Sequence, residues 1–312
     1  MAKTKVFIDG SAGTTGLRIY DRLSARADIE LITLDDALRK DIDARKAAIE
    51  SADAAFLCLP DAAATEIADA VGNSDTKILD TSTAHRTNPE WAYGFPELSD
   101  ELRQKIENSS RIAVPGCHAS GFCSIVKPLV AHGIIAPDYP IVCTSVTGYS
   151  GGGKKMIADY EGDARISEMD SPRQYGLTQK HKHLPEMKKI CGLEFEPCFL
   201  PIVADYYSGM TVTVPIVSRL MTKKYTAEDI YKMYCEHYAE QKVVSVAPFG
   251  AEGFLGANNL CGKDSMEIIV TGNDERILIA SRFDNLGKGA SGAAVQCFNI
   301  VTGKNETESL VL

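Results

Sequence analysis

The chain has 312 residues, enough for a large hydrophobic core and about two domains. Its 33 basic and 42 acidic residues leave a net charge of −9, which excludes the basic face that non-specific nucleic-acid binding needs but not a local anion site. The nine cysteines show no CxxC pair and no tight Cys/His cluster, so neither a disulfide framework nor a metal site is expected.

The opening MAKTKVFIDG holds no signal-peptide apolar segment, and no apolar run is long enough to span a bilayer. A cytoplasmic protein with reduced thiols and no membrane partner is expected. Residues 5–8 (KVFI) form a β-rich run that breaks into Gly10, Ser11, Ala12, Gly13, Thr14, Thr15 and Gly16. A helical pattern follows through Leu17, Ile19, Tyr20 and Leu23. Strand, glycine turn and helix in that order suit a dinucleotide: the glycines let the backbone approach a pyrophosphate, and the helix N-terminus faces its charge. The spacing is GxxGxxG and not GxGxxG, so a plain βα turn is the alternative.

The run 29–34 ends at Asp35 and Asp36. An acid here suits the ribose 2′-hydroxyl of NAD, whereas Arg39 and Lys40 suit the 2′-phosphate of NADP; the residues alone leave the choice open. Residues 54–59 are apolar throughout, as in a strand buried on both faces, and end at Pro60 before a helix over 62–71. Shorter runs at 77–79 and 111–114 read as further strands, the first leading through Ser82 to Arg86. Doubly wound sheets bind ligands at the carboxyl ends of their strands, which puts the glycine turn, Pro60, Ser82 to Arg86 and residue 117 on one edge. Between these strands, Trp91 to Leu98 reads as a packed aromatic loop or a substrate loop.

The segment 114–122 (VPGCHASGF) presents Cys117 at or near the start of a helix expected over 119–132. Unpaired N–H groups and the helix dipole there favour a thiolate. The plainer reading is a small packed thiol. Strand-like runs then fall at 141–148, 198–203, 211–217, 243–246, 267–271 and 277–282, with helices over 184–191 and 227–238. Many strands with few crossover helices predict a mixed or largely antiparallel sheet in a second, α+β domain. Ser150 to Lys155 reads as a flexible turn or an anion-binding loop. His181 and His183 precede a helix whose first turn holds Pro185. Either they cap that helix in solvent or one is a general acid/base; a third metal ligand is lacking. Residues 283–296 (FDNLGKGASGAAVQ) lead into an amphipathic helix to residue 301, with small residues suited to close packing.

Six segments together resemble the N-acetyl-gamma-glutamyl-phosphate reductases of the shorter type, within the aspartate-semialdehyde dehydrogenase group. They are the Gly10 to Gly16 turn, PGCHAS at 115–120, HKHLPE at 181–186, NLGKGASG at 285–292, YGFPEL at 93–98 and SGMTVTVP at 208–215. The resemblance covers essentially the whole chain. It implies an α/β, Rossmann-type doubly wound nucleotide domain from residues 1–117 and 285–312. An α+β catalytic and dimerisation domain, with a mixed or antiparallel sheet, would be inserted at 118–284. It implies NADP(H), a homodimer or homotetramer, and reduction of N-acetyl-L-glutamyl 5-phosphate to N-acetyl-L-glutamate 5-semialdehyde and phosphate, in arginine biosynthesis.

Carried over motif by motif, Cys117 is the nucleophile that forms a thioester, and His183, with His181 as second candidate, is the acid/base. Cofactor contacts are expected at Gly10, Ser11, Gly13, Thr14, Thr15, Gly16, Asp35, Arg39, Pro60, Ser82, Asn285, Gly287 and Lys288. Arg86, Lys154 and Arg173 are candidate cations for the substrate's phosphate and carboxylate, beside Lys155 and Lys288. The sequence departs from the family at Asp35 and Asp36, where a basic or small polar site would suit a 2′-phosphate better. Other readings are aspartate-semialdehyde dehydrogenase or a related acyl-phosphate reductase, a Cys/His hydrolase or acyltransferase without nucleotide, and a non-catalytic nucleotide sensor.

Overall fold

In the computed structural model, which describes residues 2–312, the runs of the first third become alternating strands and helices. They are β1 (Thr4–Asp9), α1 (Thr14–Ser24), β2 (Ile29–Ile32), α2 (Ile42–Glu50), β3 (Ala54–Leu57), α3 (Asp61–Val71), β4 (Lys77–Asp80), β5 (Ala92–Tyr93), α4 (Asp100–Asn108) and β6 (Arg111–Ala113). The strands form one parallel sheet in the order β2-β1-β3-β4-β6-β5. All four residues of β3 are buried, which is why it reads as an unbroken apolar run and lies inside the sheet. The edge strand β5 falls within the aromatic loop. Two residues, Ala92 and Tyr93, carry no period of their own and become a strand only by pairing with Ile112 and Ala113.

Local chemistry starts the helices. The Asp41 carboxylate accepts from Ala44 N–H at 2.9 Å ahead of α2, and the Ser99 hydroxyl accepts from Leu102 N–H at 3.3 Å ahead of α4. At the end of β1, Gly10 has φ +82° and lies so close to Cys58 that a Cβ would overlap the Cys58 carbonyl oxygen. Behind this turn the Asp9 carboxylate, buried in the sheet, accepts from Arg45 Nε at 2.8 Å. Burial raises the Asp9 pKa, against the opposing pull of Arg45.

The second half contains α5 (Cys117–Ala131), β7 (Val142–Gly148), α6 (Gly153–Glu161), β8 (Arg173–Gln174), α7 (Leu184–Cys191), β9 (Cys198–Ala204), β10 (Met210–Val217), α8 (Ala227–His237), β11 (Val244–Val246), β12 (Met266–Asn273), β13 (Arg276–Phe283) and α9 (Gly292–Val301). Its sheet runs β11-β12-β13-β10-β7-β9-β8. The sheet is mixed: β7 and β9 are parallel, as are β11 and β12, and the other neighbours are antiparallel. The Ser150 to Lys155 segment is a 3₁₀ turn running into α6 rather than a flexible turn. Among the described residues no helix is long and apolar enough to cross a membrane.

The chain divides into two units, Met1–Gly116 with Ala290–Leu310 and Cys117–Gly289 with Val311–Leu312. The expected boundaries, after 117 and before 285, lie a few residues from these. Cys117 opens α5 in the second unit. Residues 285–289 stay with that unit because the Asn285 carboxamide accepts from Gly209 N–H at 2.9 Å and donates to Ser150 Oγ at 3.1 Å. In the first unit α9 corrects the amphipathic expectation. Nine of its residues are buried, since it packs among α1, α4 and the sheet, with Phe298 against Phe56 at a ring separation of 5.6 Å.

Helix α5 packs on β10, β13 and α7, and it carries Pro128 inside it. A proline there has no N–H for the carbonyl four residues back, that of Ser124. The Tyr238 hydroxyl supplies the missing donor to Ser124 O at 2.7 Å, and the Tyr234 hydroxyl donates to the next carbonyl, Ile125 O, at 2.5 Å. Tyr238→Phe leaves the Ser124 carbonyl buried and unmatched, and is expected to cost about 1–3 kcal/mol. A denaturant midpoint lowered at unchanged slope checks this; an unmoved midpoint contradicts it.

Candidate active site

In the first unit the ends of β1, β2 and β3 enclose a cavity of about 520 Å³. Gly10, Ser11, Leu34, Arg39, Lys40 and Leu59 are among its lining residues. Gly13 stands at the N-cap of α1, its N–H donating to Gly10 O at 2.9 Å, and Thr14, Thr15 and Gly16 form the first turn. The positive-φ turn, the exposed helix start and the apolar wall fit a dinucleotide. Arg39 and Lys40 line this cavity and Asp35 does not: it precedes a short 3₁₀ turn, Asp36–Leu38. Asp36 pairs with Arg39 at 2.8 Å on the exposed surface.

Pro60 lies at the N-cap of α3. Ser82 is buried and turned inward: its hydroxyl and N–H both donate to the Asp80 carboxylate, at 2.7 and 2.9 Å. That carboxylate also meets His85 Nδ1 at 2.7 Å, and the His85 ring stacks on Trp91. Arg86 is buried, donating to Val114 O and Thr81 O at 2.9 Å each. It therefore ties two strand ends together whatever else it contacts.

In the second unit Cys117 is the first residue of α5 and is partly buried. On the π-helical turn Gly287–Ser291 that follows β13, Gly289 approaches it so closely that a Cβ there would lie 2.9 Å from the Cys117 Cβ. The nucleophile candidate thus faces the segment that holds Asn285, Gly287 and Lys288; Lys288 is buried. His118 follows Cys117 and is 3 % exposed. Its Nδ1 meets Ser145 Oγ at 2.7 Å and its Nε2 meets Tyr175 Oη at 2.6 Å. The His118 ring lies 5.5 Å from that of His181 and 5.6 Å from that of His183, which are 4.8 Å from each other.

His183 is 5 % exposed at the N-cap of α7, where its side chain makes no cap, and its N–H donates to His181 Nδ1 at 3.2 Å. The pair is therefore part of a histidine cluster and not a solvated helix cap. Burial pushes the His118 pKa down to about 3, aided by the charges of His181 and Lys182. Burial also pushes His181 down to about 4, aided by Lys182. The Tyr175 phenol is pushed up, first by burial and then by the charge of Cys117.

Of the candidate cations, Arg173 lies on β8, two residues before Tyr175. Its Nη2 donates to Tyr160 Oη at 2.8 Å, and its guanidinium carbon stands 5.0 Å over that ring. Lys154 is exposed in the first turn of α6. Sequence reasoning did not single out His118, Tyr175 and Ser145. His118 sits beside Cys117 in the chain and carried a signal by adjacency. Ser145 lies on β7 and Tyr175 just after β8, and neither carried one.

Residues 5–108 match the profile described as "Semialdehyde dehydrogenase, NAD binding domain", and residues 117–285 match "Semialdehyde dehydrogenase, dimerisation domain". The chain is 44 % identical to N-acetyl-gamma-glutamyl-phosphate reductase 2 of Nostoc sp., over 98 % of this chain and 99 % of that one. It is 43 % identical to the N-acetyl-gamma-glutamyl-phosphate reductase of Sinorhizobium medicae, over 96 % and 99 %. The fold is shared with aspartate semialdehyde dehydrogenase II of Vibrio cholerae, solved in complex with ASA (TM-score 0.73, 16 % identity, 97 % and 99 % covered). It is shared as well with the NADP-bound aspartate semialdehyde dehydrogenase of Candida albicans (TM-score 0.68, 15 % identity, 98 % and 100 % covered). With such identity over nearly its full length, the chain belongs to the N-acetyl-gamma-glutamyl-phosphate reductase family, within the semialdehyde dehydrogenases.

Proposed function

We propose that this protein reduces N-acetyl-L-glutamyl 5-phosphate to N-acetyl-L-glutamate 5-semialdehyde and phosphate, with NADPH, in arginine biosynthesis. The observation that carries this reading is Cys117 at the first residue of α5, beside a buried histidine cluster. The Cys117 thiolate attacks the acyl carbonyl, the bond from that carbon to the phosphate oxygen breaks, and a thioester forms on Cys117. N–H groups in the first turn of α5 are placed to hold the carbonyl oxygen as it takes up charge. Bound NADPH supplies the hydride for reduction. His183 donates a proton to the oxyanion of the thiohemiacetal and takes it back as that adduct collapses to aldehyde and Cys117 thiolate.

The resemblance of HKHLPE at 181–186 to the family favours His183 for this role. His118 uses both ring nitrogens and stays neutral, and His181 accepts from the His183 N–H and stays neutral. Arg173, held by Tyr160, is the cation assigned to the substrate carboxylate; Lys154 and Arg86 are weaker candidates, one exposed and the other tied to main-chain oxygens. Arg39 and Lys40 in the cavity of the first unit favour the 2′-phosphate of NADP over the 2′-hydroxyl of NAD. We place the enzyme in a reducing cytoplasm, consistent with nine free cysteines, and assign its homodimer or homotetramer contacts to residues 117–285.

Incubated with acyl phosphate but without hydride donor, the enzyme is expected to show an acyl adduct on Cys117 by peptide mass spectrometry. An adduct on Cys123 or Cys143 instead would overturn the assignment. Cys117→Ser is expected to lower kcat at least a thousandfold, and near-normal turnover rejects the thioester route. Activity with N-acetylglutamate semialdehyde, phosphate and NADP should exceed that with aspartate semialdehyde.

Replacing both Arg39 and Lys40 by Ala is expected to raise KM for NADPH about tenfold or more while leaving that for NADH nearly unchanged. Equal effects on both nucleotides contradict the assignment.

The depressed His118 pKa also sets a pH dependence. The unfolded chain binds a proton near pH 6.5 that the folded chain refuses until about pH 3. The stability this gives is therefore complete above pH 6.5 and is lost as pH falls towards 3, with a slope of up to about 1.4 kcal/mol per pH unit. His118→Gln should flatten the stability profile between pH 6.5 and 4, read by urea unfolding at each pH; an unaltered slope rejects it.

A further inference from the structure

Asp284 follows β13 directly and is fully buried. Four neutral donors converge on its carboxylate. Leu286 N–H and Gly287 N–H donate to Oδ1 at 2.7 and 3.3 Å. The Ser208 hydroxyl and Gly262 N–H donate to Oδ2 at 3.0 and 2.5 Å. Only a carboxylate offers two oxygens that accept and never donate; an amide of the same size would turn its NH₂ towards one of these donors. The first pair of donors folds residues 284–287 on themselves. The second pair comes from the loops before β10 and before β12, and ties that turn to the rest of the second unit. The Asp284 carbonyl completes the turn, accepting from Gly287 N–H and Gly289 N–H at 3.1 Å each.

The turn held in this way is one wall of Cys117. A Cβ on Gly289 would lie 2.9 Å from Cys117 Cβ, 3.2 Å from Asp284 O and 3.2 Å from Phe283 Cε2. One helical turn along α5 from Cys117, a Cβ on Gly121 would lie 2.8 Å from Phe283 Cε1, on the other edge of the same ring. The Phe283 ring, itself fully buried, is thus fitted between α5 and the turn, and only glycine fits on either side of it. We propose that Asp284 is a positioning residue for Cys117: its carboxylate fixes the turn whose Gly289 backbone closes one side of that residue, and so limits the directions in which the sulfur points. The proposal rests on Cys117 being the nucleophile. Packing along α5 brings Cys117 to this wall, and the buried carboxylate holds the wall still. A nucleophile confined before substrate arrives needs less ordering in the reaction itself, so the effect falls on kcat rather than on binding. Asp284 acts through Gly289.

The test compares the full-length enzyme with Asp284→Asn, Ser208→Ala and Gly289→Ala. Iodoacetamide labelling of each cysteine peptide is timed by mass spectrometry without nucleotide or substrate. Values of kcat and KM are measured with N-acetylglutamate semialdehyde, phosphate and NADP. Asp284→Asn loosens the wall. It is expected to speed labelling of Cys117 about threefold or more, the scale of one hydrogen bond lost from the carboxylate, and to lower kcat about tenfold with KM for the semialdehyde within about twofold. Cys123 and Cys143, both buried, should stay unlabelled, which separates a loosened turn from a loosened fold. Ser208→Ala removes one donor of the four and should move both readings the same way by less. Gly289→Ala thickens the wall instead, and should slow labelling of Cys117 while lowering kcat. Unaltered Cys117 labelling in Asp284→Asn overturns the proposal. So does a loss confined to KM for NADP, which assigns the turn to nucleotide binding alone. Should Asp284→Asn expose Cys123 and Cys143 to label as well, the other two variants decide: Cys117 labelling equal to wild type in both sinks the proposal. Failure of the functional reading looks different, since Cys117 would then carry no acyl adduct in the wild-type enzyme.

Discussion

The burial of α5 is the constraint on which the second unit depends. Eleven of its fifteen residues are buried, and Phe122, Ile125, Val126 and Leu129 are fully so. Each large apolar side chain contributes roughly 1.5–3 kcal/mol by leaving water. A helix enclosed in this way has main-chain groups that must all be matched. At Pro128 the chain breaks that rule locally, and Tyr238 at the C-cap of α8 repairs it. Once α5 is fixed, so is its first residue. Cys117 therefore gains its position from apolar packing further along the helix, and not from the loop that presents it.

The same burial sets the electrostatics. Water is excluded from around His118, so a second proton on its ring is disfavoured, and the imidazole becomes a fixed dipole between a serine and a tyrosine. Arg173 shows the complementary case. Its charge is kept, and a tyrosine ring and hydroxyl restrict where the guanidinium points. A buried neutral imidazole and a half-buried guanidinium thus sit in one unit, separated by how much water each retains.

The first unit bears on a choice that the sequence left open. Asp35 and Arg39 are four residues apart, and either is a plausible ribose contact in a linear reading. Beyond a 3₁₀ turn over Asp36–Leu38, Arg39 and Lys40 line the cavity, and Asp35 ahead of the turn is not among its lining residues. Other candidates were reduced in the same way. Ser82 looked like a cofactor contact but satisfies Asp80, and Arg86 looked like a free cation but binds main-chain oxygens. A strand-end position in sequence says where a residue is, but not whether its hydrogen-bonding capacity is already used.

Read alone, the sequence determined the alternation of apolar runs, the glycine turn after β1, the change to a strand-rich second half, and the short list containing Cys117, His181 and His183. These are local or periodic signals, written in contiguous residues. Only the tertiary structure decided that the two histidines join His118 in one cluster, that Tyr175 and Ser145 flank it, that β5 is a strand, and that α9 is covered on all sides. Each of these depends on contacts between residues far apart in the chain. The free energy of such contacts comes from mutual burial and paired hydrogen bonds, which no single segment expresses by itself.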